Sequence, residues 1–298
     1  MTDRIVLGTA QLGMDYGISN KTGKPAAEES YEIIKTAWKH GIRYFDTAQA
    51  YGTSESVLGK VFKKLGIQDK VLVISKIKGI LAHADEKVLS ANIERSLEAL
   101  NVKKLYSLLL HDSLNLDSWG DNASEIIKKI KRNDLAEKVG ISVYNYKDAL
   151  MALNFDDIDI VQMPFNIFDQ AYYSKGIFLE AEKRNKIILL RSIFLQGLLL
   201  MDIKGLSVNQ RHFEKYLKKR DKLCKSLKMN KKELAIGYVK KRASGTFIVF
   251  GAETSSQVTE TIFILNNSDM SEATAGMIEK ELAVLDENII NPSKWGIV

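Results

Sequence analysis

Four residues, Asp46, Tyr51, Lys76 and His111, lie at or just beyond the ends of short apolar runs, and together their types suit one reaction. Reducing a carbonyl by hydride requires a proton for the alkoxide that forms. A tyrosine hydroxyl supplies it if its pKa of about 10 is drawn towards neutrality. A cation beside the phenol favours the phenolate, and a carboxylate beside that cation keeps it charged and oriented. Lys76 and Asp46 are the residues for those tasks, and His111 is the donor that aligns a substrate oxygen with the Tyr51 hydroxyl. Proton donation of this kind contributes roughly 10² to 10⁴ in rate, so the harder step, hydride transfer, belongs to a bound cofactor.

Taken singly, each residue has a plain structural reading. An Asp at a strand end is usually a turn former or helix cap, and a Tyr in a loop an amphipathic wall. A Lys after an apolar run snorkels to water, and a lone His is usually a satisfied structural group. Three consecutive apolar runs that each deliver an ionisable residue to one rim are harder to explain by packing, because buried charge is costly without partners.

The elements that must position them are eight short apolar runs: IVLGTA from Ile5, RYFDTA from Arg43, VLVISKI from Val71, LYSLLLH from Leu105, KVGISV from Lys138, DIVQMPF from Asp159, IILLRSI from Ile187 and FIVFGA from Phe247. Their length and continuous apolarity predict buried parallel strands. Helical periodicity lies between them. Leu89, Ile93, Leu97 and Leu100 share a face, as do Ile34, Ala37 and Trp38 in a segment that stops at Gly41. Asn230 with Glu233 predicts a capped helix through Leu234 and Tyr238. An extra helical segment is expected around Phe213 to Leu227, in the longest gap between strands. Strict alternation demands right-handed crossovers, and eight repeats close a (β/α)8 TIM barrel with loop insertions at its C-terminal face. The competing doubly wound sheet would place a G-x-G-x-x-G turn after an early strand, but the first strand runs into GTAQLG, Gly8 to Gly13, without that spacing. No linker or low-complexity tract divides residues 1–298, so one domain is expected.

Composition narrows the classes. Hydrophobic residues at 45% and charged residues at 27% match a soluble globular mixture. The net charge of +6 comes from lysines spread along helices rather than one basic block with aromatics, which argues against nucleic acid. Cys224 is the only cysteine, so an intrachain disulfide and a cysteine-built metal site are excluded, and no metal is expected. The N-terminal residues lead into a strand without a basic leader, and no apolar segment approaches about 18 residues. A cytoplasmic protein that neither spans nor binds membranes is expected.

The stretch GIRYFDTAQAYGTSESVLG, Gly41 to Gly59, resembles the signature of the aldo-keto reductase family. Lys76 in VISKI, His111 in LLLHD, Gly140 and Ser142 in VGISVYN, Gln162 in IVQMPFN and Gly251 in VFGAE follow in the family's order, so the resemblance covers nearly the whole chain. It implies a barrel that binds NADPH, with NADH as the alternative, and a catalytic tetrad of Asp46, Tyr51, Lys76 and His111. It further implies that Ser142 and Gln162 hold the nicotinamide carboxamide, with Asn166 either supporting the ring edge or only capping the next helix. Arg191 stands where many relatives stack an aromatic ring on the nicotinamide, which a guanidinium plane can also do. Ser192, Leu195, Gln196 and Gly197 resemble the loop along the pyrophosphate, whose backbone amides can bind an anion. Gly251 and Gln257 stand where many NADPH-preferring relatives carry a lysine and an arginine. Thr254, Ser255 and Ser256 can hydrogen-bond a phosphate at a helix N-terminus whereas Glu253 would repel one, which leaves a slight lean to NADPH. Thr261 and Val143 also replace common asparagines.

Met14, Tyr16, Gln49 and Trp119 are candidates for the substrate mouth, with ordinary packing as the plain alternative. The Lys- and Arg-rich 213–227 segment reads as a solvated face before it reads as an anion site. The expected partner is a small carbonyl compound, sugar-derived if the weak likeness to members of sugar metabolism carries over. Two other classes compete: a lyase forming a Schiff base on Lys76, against which the Asp46 and Tyr51 spacing argues, and a cofactor-binding regulatory protein with little turnover.

Overall fold

The computed structural model describes residues 2–79, 81, 84–284 and 286–295. Its centre is a closed barrel of eight parallel strands in sequence order. These are β1 (Ile5–Gly8), β2 (Tyr44–Asp46), β3 (Leu72–Ile77), β4 (Leu105–Leu110), β5 (Ala136–Ser142), β6 (Ile160–Pro164), β7 (Ile187–Arg191) and β8 (Phe247–Gly251). Each coincides with one of the apolar runs; β5 begins earlier than expected, at Ala136. Met1, at the end read for a leader, lies outside the described residues.

Alternation along the strands decides what reaches the mouth. Val6, Ile74, Leu109, Ile160, Leu189 and Val249 fill the barrel interior, with Tyr44, Tyr106, Ile187 and Phe247 packed below them. Successive side chains alternate faces, so the next interior position on each strand is two residues on. Those positions are Gly8, Asp46, Lys76, His111, Gln162, Arg191 and Gly251, with Ser142 opposite Gln162 in register. The intervening residues, such as Phe45, Val73, Ile77, Leu108 and Leu110, face the helices and belong to the larger outer core.

The helices form where the periodicity predicts. Helix Glu86–Leu100 buries Leu89, Ile93, Leu97 and Leu100, and its N-cap Asp85 accepts from the amides of Lys87 and Val88. In helix Ala27–Lys39, Ile33, Ile34 and Ala37 are buried while Trp38 is half-buried, stacked under the Arg43 guanidinium at 3.6 Å. Helix Lys231–Arg242 opens with the reciprocal Asn230 and Glu233 bonds of a capping box. The β7–β8 connection carries the main elaboration, three 3-10 turns and helix Glu214–Leu227. That helix is not simply a solvated face. Arg220 is fully buried and donates to the carbonyls of Leu199 and Met201, both at 2.9 Å, and of Leu198 at 3.4 Å. No helix among the described residues is long and apolar enough to cross a membrane.

Candidate active site

Lys76 Nζ lies 2.8 Å from each carboxylate oxygen of Asp46 and 2.9 Å from the carbonyl of Thr47. Three acceptors thus match the three donors of an ammonium. Lys76 is 1% exposed, and burial draws its pKa down while Asp46 opposes that. A buried pair of this kind adds little net stability, yet removing one partner strands the other charge. The Lys76 ammonium stands 4.9 Å from the Tyr51 ring centre, and His111 meets that ring edge-on at 5.8 Å. All four residues therefore gather at the C-terminal mouth.

The expected tuning of Tyr51 is not what the resting site shows. Burial, followed by the Asp46 charge, pushes the phenol above its ordinary pKa, not down towards neutrality. The physical reason is that the bidentate Asp46 contact largely neutralises Lys76, so desolvation of the phenolate dominates. Tyr51 is accordingly protonated at neutral pH, the state a proton donor needs. Burial, then the Lys76 and Arg191 charges, pull His111 down to about 4, so its imidazole is neutral at physiological pH. Its Nδ1 is buried without a partner.

The loops behind Tyr51 are tightly made. A Cβ on Gly13 would fall 1.8 Å from the Tyr51 carbonyl oxygen, so the loop after β1 can pass behind Tyr51 only with glycine there. A buried hydroxyl cluster locks the same corner, with the Oγ atoms of Thr9 and Ser54 at 2.8 Å and the Thr47 hydroxyl donating to Ser54 at 2.9 Å. Sequence reasoning passed over these residues, although GTSES directly after Tyr51 was the available signal.

Beside the tetrad, Gln162 donates Nε2 to Asp46 at 2.9 Å, while its buried Oε1 has no partner. An unpartnered buried amide oxygen next to Ser142 fits a carboxamide NH₂ donor. Arg191 reaches across with Nε 3.4 Å from Ser142 Oγ, a further donor to the Val143 carbonyl at 3.0 Å, and its guanidinium 4.2 Å from the Tyr144 ring centre. Asn166 does not cap the next helix, whose N-cap is Gln170, but ties the loop before it. It accepts from the amides of Phe168 and Asp169 and donates to the Ser192 carbonyl at 3.2 Å.

A cleft of about 310 Å³ runs from Asp46 and Tyr51, past Arg191 and the Ser192–Gly197 turn, to Gly251, Gln257 and Thr261. Tyr16 and Gln196 wall it, and the Ile18 amide donates to the Gln196 carbonyl at 3.0 Å, tying the loop after β1 to the loop after β7. Burial pushes Tyr16 up to about 12. The residues present thus fit an extended nicotinamide dinucleotide.

Several expected contacts differ. Ser192, Leu195 and Gln196 hold left-handed backbone, and the amides of Leu195 and Gly197 donate to Ser192 and Phe194 inside the loop. Those two amides are spent inside the loop and the Leu195 side chain is buried, while Ser192, Gln196 and Gly197 line the cleft. The Thr254 hydroxyl accepts from the Gln257 amide at 3.2 Å, and the Ser255 amide donates to Glu29 at 2.8 Å; neither residue lines the cleft. Of the mouth candidates only Tyr16 lines it. Trp119 stacks on Phe155 at 5.0 Å, and Gln49 donates to Asn92 and Ser96. On the far side of Arg191 lies a second cleft of about 450 Å³ that includes Tyr144, Asp169, Tyr172 and Asn291. Among the described residues, no group of acidic, His and Cys side chains could hold a metal ion.

The sequence model of the Aldo/keto reductase family matches residues 4–282. The chain belongs to the aldo/keto reductase family. It is 27% identical over 213 residues, 66% of this chain, to aldo-keto reductase YhdN of Bacillus subtilis; the match spans only 60% of that relative. Over 227 residues, 64% of this chain and 68% of the relative, it is 25% identical to D-threo-aldose 1-dehydrogenase from a Pseudomonas species. Among solved structures, the holo form of an aldo-keto reductase from Bacillus halodurans superposes with a TM-score of 0.75 at 18% identity, covering 98% of this chain and 95% of that one. At that identity the likeness is one of fold.

Proposed function

We propose that this family member is an NAD(P)H-dependent oxidoreductase that reduces an aldehyde or ketone to the alcohol. One observation carries the reading: Tyr51, Lys76, Asp46 and His111 converge at the barrel mouth where the elongated cleft begins. A dinucleotide bound there would supply the hydride. Tyr51 holds the proton for the substrate oxygen. His111, neutral and with an unpartnered ring nitrogen, orients that oxygen by donating from its protonated nitrogen. Lys76 and Asp46 act as a fixed unit that holds the ammonium 4.9 Å from the Tyr51 ring centre. Ser142 and Gln162 hold a carboxamide, Arg191 lies against the ring, and Gln196, Gly197, Gly251 and Gln257 line the remaining length.

Either dinucleotide serves this chemistry, because a 2′-phosphate lies far from the transferred hydride. The relative named for D-threo-aldose supports a sugar-derived carbonyl as substrate. Cytoplasmic residence, with a free Cys224, accompanies the reading. A Schiff-base lyase is disfavoured because every Lys76 proton is already engaged on oxygen, leaving no amine lone pair to attack a carbonyl.

Tyr51→Phe is the test. Turnover with an aldehyde panel is expected to fall by about 10² or more while dinucleotide binding, followed by fluorescence, persists. Retention of more than about a tenth of the wild-type rate would remove Tyr51 from the acid role. Binding of either dinucleotide without turnover of any carbonyl by the wild type would favour the regulatory alternative.

A further inference from the structure

We propose that the cleft selects NAD(H) over NADP(H), because the end that would receive a ribose 2′-phosphate is lined by the Glu253 carboxylate and by a lysine already held in an ion pair. The inference rests on the reading that the cleft binds a dinucleotide. Asp46 and Tyr51 mark the reacting end, so the adenosine half belongs at the opposite end, formed by Gly251, Glu253, Gln257, Thr261 and Lys232.

A ribose 2′-phosphate carries close to two negative charges at neutral pH and needs cations or free amide donors. Here three of the donors are already taken. Helix Ser255–Asn267 begins at this end, but its Ser255 amide donates to Glu29 Oε1 at 2.8 Å, and its Gln257 amide to the Thr254 hydroxyl at 3.2 Å. The Glu253 amide donates to Gln257 Oε1 at 2.8 Å. A carboxylate from helix Ala27–Lys39 therefore already sits where the positive end of the helix would attract a phosphate.

Charge points the same way. Lys232 and Arg191 are the lysine and arginine residues among those described as lining the cleft, and Arg191 belongs to the reacting end. Lys232 is ion-paired with Glu260. This end of the cleft therefore presents one carboxylate, Glu253, and one ammonium that is already paired. Burial raises the Glu253 carboxyl above its ordinary pKa, as expected for an acid without a cation of its own. An unsubstituted ribose, by contrast, offers two hydroxyls that can donate to a carboxylate such as Glu253.

Equilibrium titration of the wild-type protein with NAD⁺, NADH, NADP⁺ and NADPH, followed by calorimetry, tests the proposal without turnover. NAD(H) is expected to bind at least about tenfold more tightly than its phosphorylated counterpart, with the ratio narrowing as salt is added. Equal affinity, or tighter NADP(H), overturns the proposal. Failure of all four to bind removes the dinucleotide reading and this inference with it. In the double variant Glu29→Gln, Glu253→Gln, NADP(H) affinity is expected to rise so that the ratio narrows by about tenfold. An unchanged ratio in the variant overturns the assignment to these carboxylates.

Discussion

Tyr51 is held in its protonated form by burial and by Asp46, so in the proposed reaction the cost of forming its anion falls on proton transfer rather than on the resting site. The Lys76 and Asp46 pair costs no reorganisation, since three oxygens already fix the ammonium. His111 carries a measurable pH signature. Its ordinary pKa of 6.5 falls to about 4 in the fold, so between those values the unfolded chain binds more protons than the native one. Stability contributed at neutral pH is therefore lost as pH drops from 6.5 towards 4, by up to about 3 kcal/mol. Denaturant unfolding at pH 7 and pH 4.5 should show a smaller acid loss in His111→Gln than in the wild type. An identical loss would mean that another group carries it. That Asp46, Tyr51, Lys76 and His111 gather at one mouth was legible from residue type and strand-end position. The direction of the Tyr51 shift was not, because it depends on how completely Asp46 consumes the charge of Lys76, a matter of ångströms.

At the scale of elements, the helix in the β7–β8 connection anchors the turn that walls the cleft. Arg220 reaches from helix Glu214–Leu227 to three carbonyls of the segment just after Gly197. Arg220→Met would leave the Leu199 carbonyl without a donor and Asp221 without its cation, whereas Met201 keeps Lys231 and Leu198 keeps the Met201 amide; a buried acceptor left unpaired costs roughly 1–3 kcal/mol. Global stability is expected to fall by about 3 kcal/mol, and dinucleotide affinity with it, because the Ser192–Gly197 turn loses its support. Urea denaturation and a binding titration check the two effects; unchanged affinity would show that the turn stands without Arg220. In the sequence this helix reads as a Lys- and Arg-rich solvated face, and its lysines at 215, 218, 219, 222 and 225 are exposed. Nothing in a run of basic residues marks which one turns inward, since the carbonyls that capture Arg220 come from a separate loop. Helices Glu86–Leu100 and Lys231–Arg242 were legible because their signals, an apolar stripe and a capping box, are local.

At the scale of the whole molecule, closure of the sheet leaves no unpaired edge, and one continuous outer core wraps the strands from Ile5 to Phe250. We propose that residues 1–298 fold as one domain, with a single transition expected when near- and far-ultraviolet dichroism are followed together. Two separated transitions would contradict it. The sequence by itself determined the eight strands, their parallel order and the residue types at their ends, because short apolar runs, alternation and caps are written over a few neighbouring positions. Only the tertiary structure decided which side chains face one another across the mouth. It set Lys76 against Asp46, left Gln162 Oε1 and His111 Nδ1 unpartnered, and brought Glu29, two hundred residues distant in the chain, onto the Ser255 amide. Those contacts join elements remote in sequence, and their strength depends on burial and distance, which exist only once the barrel has closed.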